Sequence, residues 1–387
     1  MKRLTYFILM AGTLVAMLAS CGGTAGKPKV KPDVIEAQLQ QMTLREKVGQ
    51  LFCVRPEAFD VALEWDTYSK LATYQVQEVN EQMQKVNAQY PVGGIILFAH
   101  NIKDEAQLAA LMAQVKAFNG EPLIYVDEEG GRVARIGNNE NFPVEHIPPM
   151  GEIGKTGDVK NAYHAGNTIG QYLKKYGFDV DLAPVADVNT NPKNPVIGPR
   201  AFSDNPQVAG QMVVQYVKGL EDAGVASCVK HFPGHGDTQT DSHYGYAATN
   251  KTWEEMVACE MIPFKAAIEH QVPMIMTAHI GTPNVTNNEI PATVNPVILQ
   301  EKLRKELGFQ GIIITDGMAM GAITRQYTSA EATLLSLQAG ADIILGPKNY
   351  IEAFEAVLAA VADGTLTEER INESVRRVLT LKAQLRQ

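Results

Sequence analysis

The sequence predicts a single-domain (β/α)8 barrel of the TIM type over residues 32–387. Eight short runs rich in apolar and β-branched residues alternate with amphipathic stretches that have the period of an α-helix. Five of these runs end in a charged or titratable residue, and functional groups of parallel barrels gather at the carboxyl ends of strands. A doubly wound open sheet is the alternative, but its phosphate-binding glycine fingerprint does not follow the first run.

Each predicted element follows from its local pattern. Two helices come first, over residues 33–42 and 44–49, because Thr43 can cap the second and Glu46 stands three residues later, as in a capping box. The predicted strands are residues 51–54, 94–98, 123–126, 180–185, 225–229, 274–277, 311–315 and 343–345. The predicted helices are residues 105–118, 161–176, 206–223, 253–269, 296–307 and 330–339, with a closing helical region over 350–385.

The first residues are predicted to be a lipoprotein signal peptide rather than part of the fold. Lys2 and Arg3 give a positively charged start, and the apolar stretch that follows is short for a membrane span. It leads into small residues and Cys21, a pattern that resembles the lipobox of bacterial lipoproteins. Residues 1–20 would then be removed, and residues 21–31 would be a lipidated cysteine with a flexible tether. The prediction is a cell-envelope lipoprotein on the periplasmic or outer-membrane face, with an ordinary secretory signal as the alternative.

Charge and cysteine content exclude several classes of protein. The formal net charge is −9, and it becomes −11 if Lys2 and Arg3 leave with the signal peptide. This acidic balance argues against nucleic acid and anionic membrane surfaces as partners. Besides Cys21, three cysteines remain, an odd number that gives no disulfide framework. Cys53 and Cys228 fall in apolar strand-like runs and are predicted to be core residues.

The stretch KHFPGHGDTQTDSH, residues 230–243, gathers one lysine, three histidines and two aspartates just after a predicted strand. A loop so rich in polar side chains is typical of an active site rather than of a core. Asp241 stands two positions before His243. If the two are in contact, the carboxylate orients the imidazole and raises its basicity, which makes the ring a proton shuttle.

A metal site in the same loop is a weaker interpretation. Histidines and carboxylates at short spacing can hold zinc, but Pro233 and Gly234 separate His231 from His235, so the pair does not fit one helical face. The sequence also has no HExxH element. His235 and Asp237 are therefore interpreted as residues that shape the loop, and neither a metal nor a cofactor is predicted.

Asp316 is a lone carboxylate at the end of a fully apolar strand. Taken singly, such an aspartate is most often a helix N-cap. Gly317 leaves the carboxylate accessible, however, and other strand ends point polar groups toward the same place. A carboxylate held there could attack a sugar carbon and form a covalent glycosyl-enzyme.

The segment DEEGGRVAR, residues 127–135, combines acids, paired glycines and arginines. An aspartate with an arginine offers both the acceptors and the donors that sugar hydroxyls need, although a salt-bridged surface turn is the alternative. A further arginine, Arg200, lies on the proline-rich loop VIGPRAF. The sequence thus predicts a polar pocket suited to a carbohydrate.

Several of these motifs together resemble glycoside hydrolase family 3. They are KHFPGHGD…DSH, DEEGGRV, VIGPRAFS and TDGMAM, with MTLREKVGQLF as the opening element. The likeness is greatest to the single-domain, NagZ-type bacterial β-N-acetylglucosaminidases, from which Glu128 departs because that position is more often glutamine. The resemblance implies a retaining mechanism with Asp316 as nucleophile and His243, paired with Asp241, as general acid/base. It also implies sugar binding in the −1 subsite by Asp127, Arg135, Arg200, Lys230 and His231.

The predicted function is that of an exo-β-N-acetylhexosaminidase that removes terminal β-linked GlcNAc from peptidoglycan fragments or related glycans. A β-glucosidase or β-xylosidase of the same family is the runner-up. A catalytically silent glycan-binding lipoprotein and a metal-dependent hydrolase are alternatives from other classes.

An ordinary imidazole titrates near ~6.5 and is neutral after it gives up its proton. Phosphate would therefore meet less repulsion beside it than beside a carboxylate, and is predicted to compete with water.

Overall fold

The computed structural model describes residues 31–63, 75–243 and 245–386. Eight parallel strands run around the domain in the order β8-β1-β2-β3-β4-β5-β6-β7. A parallel bridge between Ile314 and Ile343 joins the two ends of this sheet, so the strands form a closed (β/α)8 barrel as predicted. The strands are β1 (Phe52–Val54), β2 (Gly94–Ile96), β3 (Leu123–Val126), β4 (Val180–Asp181), β5 (Ala226–Phe232), β6 (Met274–Thr277), β7 (Ile312–Thr315) and β8 (Ile344–Leu345).

All eight predicted strands are present, with one informative error. The fifth was predicted to end at Val229, but β5 continues through Lys230 and His231 to Phe232. Phe232 pairs with Thr277 of β6, and the register shifts between Val229 and Phe232. Such an irregularity re-aims side chains, so two charged or titratable residues at the end of one strand can both face the same cavity.

The helices surround the barrel largely where the amphipathic pattern placed them. Thr43 and Glu46 form the predicted capping box. The predicted helix over 253–269 is wrong as one element, because Pro263 has no backbone N–H to donate to the carbonyl of Cys259. The predicted closing helical region consists of two helices. The α-helices are Pro32–Gln41, Leu44–Gln50, Glu81–Gln89, Glu105–Lys116, Met150–Lys155, Val159–Lys175, Pro206–Asp222, Trp253–Ala258, Met261–Glu269, Pro283–Thr286, Gly321–Thr324, Ser329–Ala339, Tyr350–Ala362 and Glu368–Leu385, and Val297–Glu306 is a π-helix.

The amino end of the barrel is closed by the last helix. Val378 and Leu381 of Glu368–Leu385 pack in the same buried cluster as side chains from inside the barrel. Cys53 and Cys228 belong to this cluster as free thiols, as predicted. Since this end is filled with apolar side chains, a polar cavity can open only at the carboxyl ends of the strands.

The predictions about the amino-terminal segment concern residues outside the described ranges. The signal peptide, Cys21 and all but the last residue of the tether fall there, so they stay predictions. Within residues 31–63, 75–243 and 245–386, no helix is both long and apolar enough to cross a bilayer.

Candidate active site

A cavity of about 630 Å³ lies at the carboxyl ends of the strands. Apolar side chains such as Ile96, Phe98 and Met276 form part of its wall, and charged side chains form the rest. All eight residues predicted to act on the sugar line it: Asp127, Arg135, Arg200, Lys230, His231, Asp241, His243 and Asp316. Residues from four separate segments of the chain therefore meet in one place.

Lys230 is the centre of a buried charge network on one side of this cavity. Its Nζ lies 2.8 Å from Asp127 Oδ1 and 2.6 Å from Glu129 Oε1. Arg200 donates two hydrogen bonds of 2.8 Å each to the two oxygens of Glu129. Burial alone would raise the pKa of Glu129, but Arg200 and Lys230 outweigh it and hold that pKa well below its usual range. The pairing keeps every one of these groups charged.

Asp127 and Arg135 are in contact. Arg135 Nη2 lies 3.4 Å from Asp127 Oδ2, while the other oxygen of Asp127 is held by Lys230. Burial is offset by Lys230 and Arg135, so the pKa of Asp127 is lowered. An ionised carboxylate between two cations, with 17% of its side chain exposed, is suited to accept hydrogen bonds from sugar hydroxyls.

His231 is oriented by Asp187, which lies two residues after the predicted strand 180–185 and has no predicted role. Its Nδ1 lies 2.7 Å from Asp187 Oδ2, and its Nε2 lies 3.4 Å from Arg200 Nη2. An arginine can only donate, so Nε2 accepts and the ring proton is on Nδ1. Asp187 is fully buried and also accepts from the backbone N–H of His235 at 2.6 Å. It therefore fixes both His231 and the start of the loop that follows.

Asp316 follows β7 directly, and its carboxylate faces the cavity. Its Oδ1 accepts a hydrogen bond of 2.7 Å from the N–H of Gly317, whose carbonyl accepts one of 3.0 Å from His279 Nε2. Burial would raise the pKa of Asp316, but the nearby His279 and His231 bring it down to about 2. The carboxylate is therefore ionised at any working pH, as a nucleophile must be.

Asp241 and His243 form the pair that their spacing predicted. Asp241 Oδ1 lies 2.7 Å from His243 Nδ1 and 2.9 Å from the backbone N of the same residue. The side chain of His243 is 54% exposed. Burial is opposed by hydrogen bonds from His243, so the pKa of Asp241 is lowered. The carboxylate thus fixes Nδ1–H and leaves Nε2 of His243 available to exchange a proton.

Backbone contacts place this pair against the segment that carries Asp316. The N–H of Gly321 donates to the carbonyl of His243 at 3.0 Å, and the N–H of Ala322 donates to that of Ser242 at 3.3 Å. Both donors lie a few residues after Asp316. The Asp241–His243 pair and Asp316 therefore share one support.

Glu128 is a structural anchor and not part of the cavity surface. Its carboxylate accepts four hydrogen bonds, from the backbone N–H groups of Arg135, Ile136 and Gly137 and from the Tyr172 hydroxyl, at 2.5 to 3.0 Å. It is fully buried. Glu128 therefore sets the position of the turn that carries Arg135, which a motif pattern alone did not reveal.

Replacing Glu128 with alanine is expected to lower the free energy of unfolding by about 3 kcal/mol, because four buried donors lose their acceptor. The KM for an aryl glycoside should also rise, because the turn that holds Arg135 loses its anchor. Urea unfolding and steady-state kinetics measure both effects. Tyr172→Phe is the matched control, since it removes only one of the four donors and should cost about 1 kcal/mol. Equal losses in the two variants would contradict the anchoring role.

The sequence missed three residues of the site's framework: Glu129, Asp187 and His279. Glu129 could have been found from its place beside Asp127 in DEEGGRV, and Asp187 and His279 from their strand-end positions. What the sequence does not give is the partner of each.

No group of three or more His, Cys, Asp or Glu side chains in the described part of the chain is arranged to hold a metal ion.

A family model described as "Glycosyl hydrolase family 3 N terminal domain" matches residues 43–381. The chain belongs to glycoside hydrolase family 3. This confirms the resemblance drawn from its motifs.

Proteins similar to this family 3 chain carry related names. It is 36% identical over 333 residues to "Beta-hexosaminidase A" of Pseudoalteromonas piscicida, a match covering 79% of this chain and 56% of that relative. It is similar, at 36% identity and a TM-score of 0.80, to a "glycoside hydrolase family 3 beta-N-acetylglucosaminidase from Paenibacillus sp. str. FPU-7", covering 89% of this chain and 63% of that one. A structure named "Beta-glucoside phosphorylase BglX" aligns at 25% identity and a TM-score of 0.77, over 93% of this chain and 62% of that one. The chain thus spans less than two thirds of the length of each of these three proteins.

Proposed function

We propose that this family 3 protein is a retaining exo-β-N-acetylhexosaminidase that hydrolyses terminal β-linked GlcNAc. One observation supports this most strongly: an ionised carboxylate, Asp316, and a hydrogen-bonded Asp241–His243 pair line the same cavity as five polar side chains suited to a sugar. A catalytically silent glycan-binding protein would have no need of a separate nucleophile and proton shuttle.

In the first step, Asp316 attacks the anomeric carbon of the sugar. A bond forms between that carbon and a carboxylate oxygen, while the bond to the glycosidic oxygen breaks and that oxygen takes the proton of His243 Nε2. Asp241 stabilises the imidazolium before transfer, because its carboxylate accepts the hydrogen bond from Nδ1. The leaving group departs as a neutral alcohol.

In the second step, the neutral imidazole of His243 takes a proton from water. The oxygen of that water attacks the anomeric carbon, the ester to Asp316 breaks, and the carboxylate is restored. Two inversions at one carbon retain the β configuration. The hydroxyls are held throughout by Asp127, Lys230, Arg135, Arg200 and His231. Ion pairs among these residues and with Glu129 and Asp187 keep them in place before the sugar arrives.

The preference for GlcNAc over glucose or xylose rests on the names of the relatives, two of which are a beta-hexosaminidase and a beta-N-acetylglucosaminidase. Peptidoglycan fragments are the proposed natural source of this sugar. They match the predicted envelope location, in which lipidation at Cys21 tethers the enzyme to a bacterial membrane.

A panel of aryl β-glycosides tests the proposal. Purified protein should release the aryl group from β-GlcNAc with a kcat/KM at least about tenfold above that for β-glucoside or β-xyloside. NMR of the first-formed sugar should show the β anomer. Faster turnover of the glucoside or xyloside would assign the protein to the runner-up activity, and no turnover of any member would leave a glycan-binding role.

The same panel, run with and without inorganic phosphate, tests whether phosphate can replace water as the acceptor of the sugar. The similarity to a structure named as a phosphorylase favours this possibility, and so does a histidine in place of a carboxylate acid/base, because the neutral ring does not repel the anion. We expect GlcNAc 1-phosphate among the products when phosphate is present. Equal rates and free GlcNAc alone would show that water is the acceptor.

A further inference from the structure

His235 lies beneath the loop that carries Asp241 and His243. It is 1% exposed, and its backbone N–H donates to Asp187. Its ring lies between two hydroxyls: Nδ1 is 2.6 Å from Thr238 Oγ1, and Nε2 is 2.9 Å from Ser242 Oγ. Ser242 is itself 1% exposed and stands between the two residues of the acid/base pair. Both ring nitrogens of a buried histidine are thus used inside the loop.

The direction of each hydrogen bond follows from the neighbours of Thr238. The Thr238 hydroxyl donates to the carbonyl of His235 at 3.0 Å, and its oxygen also receives a hydrogen bond of 3.3 Å from Asn194 Nδ2. That oxygen is therefore an acceptor for the ring, and His235 carries its proton on Nδ1. Burial lowers the pKa of His235, although Asp187 opposes this, so the ring is neutral. Nε2 must then accept, and Ser242 must donate.

We propose that His235 is a positioning residue for the acid/base step: by accepting from Ser242 it fixes the backbone from which Asp241 and His243 project. This inference rests on the proposed glycosidase function. The side chains of Asp241 and His243 are held only weakly by burial, because 27% and 54% of them, respectively, are exposed. The hydroxyl of Ser242 ties this part of the loop to a side chain in the buried interior, whereas the contacts to Gly321 and Ala322 are made by the backbone.

The size of the expected effect follows from the strength of one neutral hydrogen bond. Loss of the hydrogen bond between Ser242 and His235 lowers the ratio of ordered to disordered loop by about three- to tenfold. Loss of the Ser242 hydroxyl falls on proton transfer and not on sugar binding, because this hydroxyl contacts only the His235 ring while Asp127, Lys230 and Arg200 are fixed by their own ion pairs. A poor leaving group needs full protonation and should therefore reveal the loss, whereas a good one should not.

The test compares Ser242→Ala with wild type on aryl β-GlcNAc substrates whose leaving groups differ in acidity. We expect kcat/KM to fall about three- to tenfold on the poorest leaving groups and to change little on the best. Inhibition by free GlcNAc should be unaltered. Ser242→Thr keeps the hydroxyl and should restore the wild-type dependence on the leaving group.

Two controls separate positioning from a loss of fold. Ser227→Ala removes the hydroxyl of another buried serine, which has no hydrogen-bond partner in the structure, and should behave as wild type. His235→Gln keeps a neutral hydrogen-bond acceptor for Ser242, so its kcat/KM on poor leaving groups should fall less than that of His235→Leu. Unchanged kinetics in Ser242→Ala, or an equal fall on every substrate, would overturn the proposal. Failure of wild type to turn over any aryl glycoside would instead overturn the proposed function.

Discussion

Replacing Asp316 with asparagine is expected to reduce kcat/KM for an aryl β-GlcNAc substrate by about 10⁴-fold or more, because the variant has no carboxylate to attack the anomeric carbon. The effect should be the same for good and poor leaving groups, since protonation does not replace the missing nucleophile. Shape and volume are nearly unchanged, and the hydrogen bond from Gly317 can still be accepted by the amide oxygen. The loss would therefore report chemistry and not folding.

A matched control for this substitution lies in the same barrel. Asp181 of β4 is fully buried. Burial raises the pKa of Asp181 well above its usual range, which favours the neutral form of this acid. Asp181→Asn should keep wild-type activity.

A 2-fluoro glycoside should label wild type on the peptide that contains Asp316. Labelling of another peptide, or undiminished activity of Asp316→Asn, would reject the assignment of Asp316 as nucleophile.

The barrel and its pocket could be predicted because both depend on local signals. Alternation of apolar runs with helical patterns is a property of short windows, and strand-end residues meet once the strands are parallel. The Asp241–His243 contact was predictable for the same reason, since it joins residues two positions apart. The carboxylate of Asp316 was found because it follows an uninterrupted apolar strand.

Contacts between distant segments were the part that local patterns could not supply. Arg200 reaches Glu129 across 71 positions of sequence, and His231 reaches Asp187 across 44. Nothing near Glu128 shows that four donors will surround it. The extension of β5 was missed because a lysine and a histidine end an apolar pattern, although pairing with β6 continues to Phe232. In each case the contact depends on where a distant segment lies in the folded barrel, which the neighbouring sequence does not show.

Replacing His243 with alanine is expected to have an effect that depends on the substrate. On substrates with poor leaving groups kcat/KM should fall by about 10²–10⁴-fold, the usual contribution of general acid catalysis. On aryl glycosides with strongly acidic leaving groups it should stay near wild type, because the departing oxygen needs little protonation. A plot of log kcat/KM against leaving-group acidity should therefore be much steeper for the variant.

The second half of the reaction supplies an independent check on the same variant. Without its general base, the ester on Asp316 should accumulate when a good leaving group makes its formation fast. A burst of aryl alcohol should precede a slow steady state, and azide, which needs no base, should raise that steady rate. Asp241→Asn should lie between the variant and wild type, because an amide still orients Nδ1 but no longer stabilises the imidazolium. A uniform loss across all leaving groups, without a burst, would show that His243 acts only in binding.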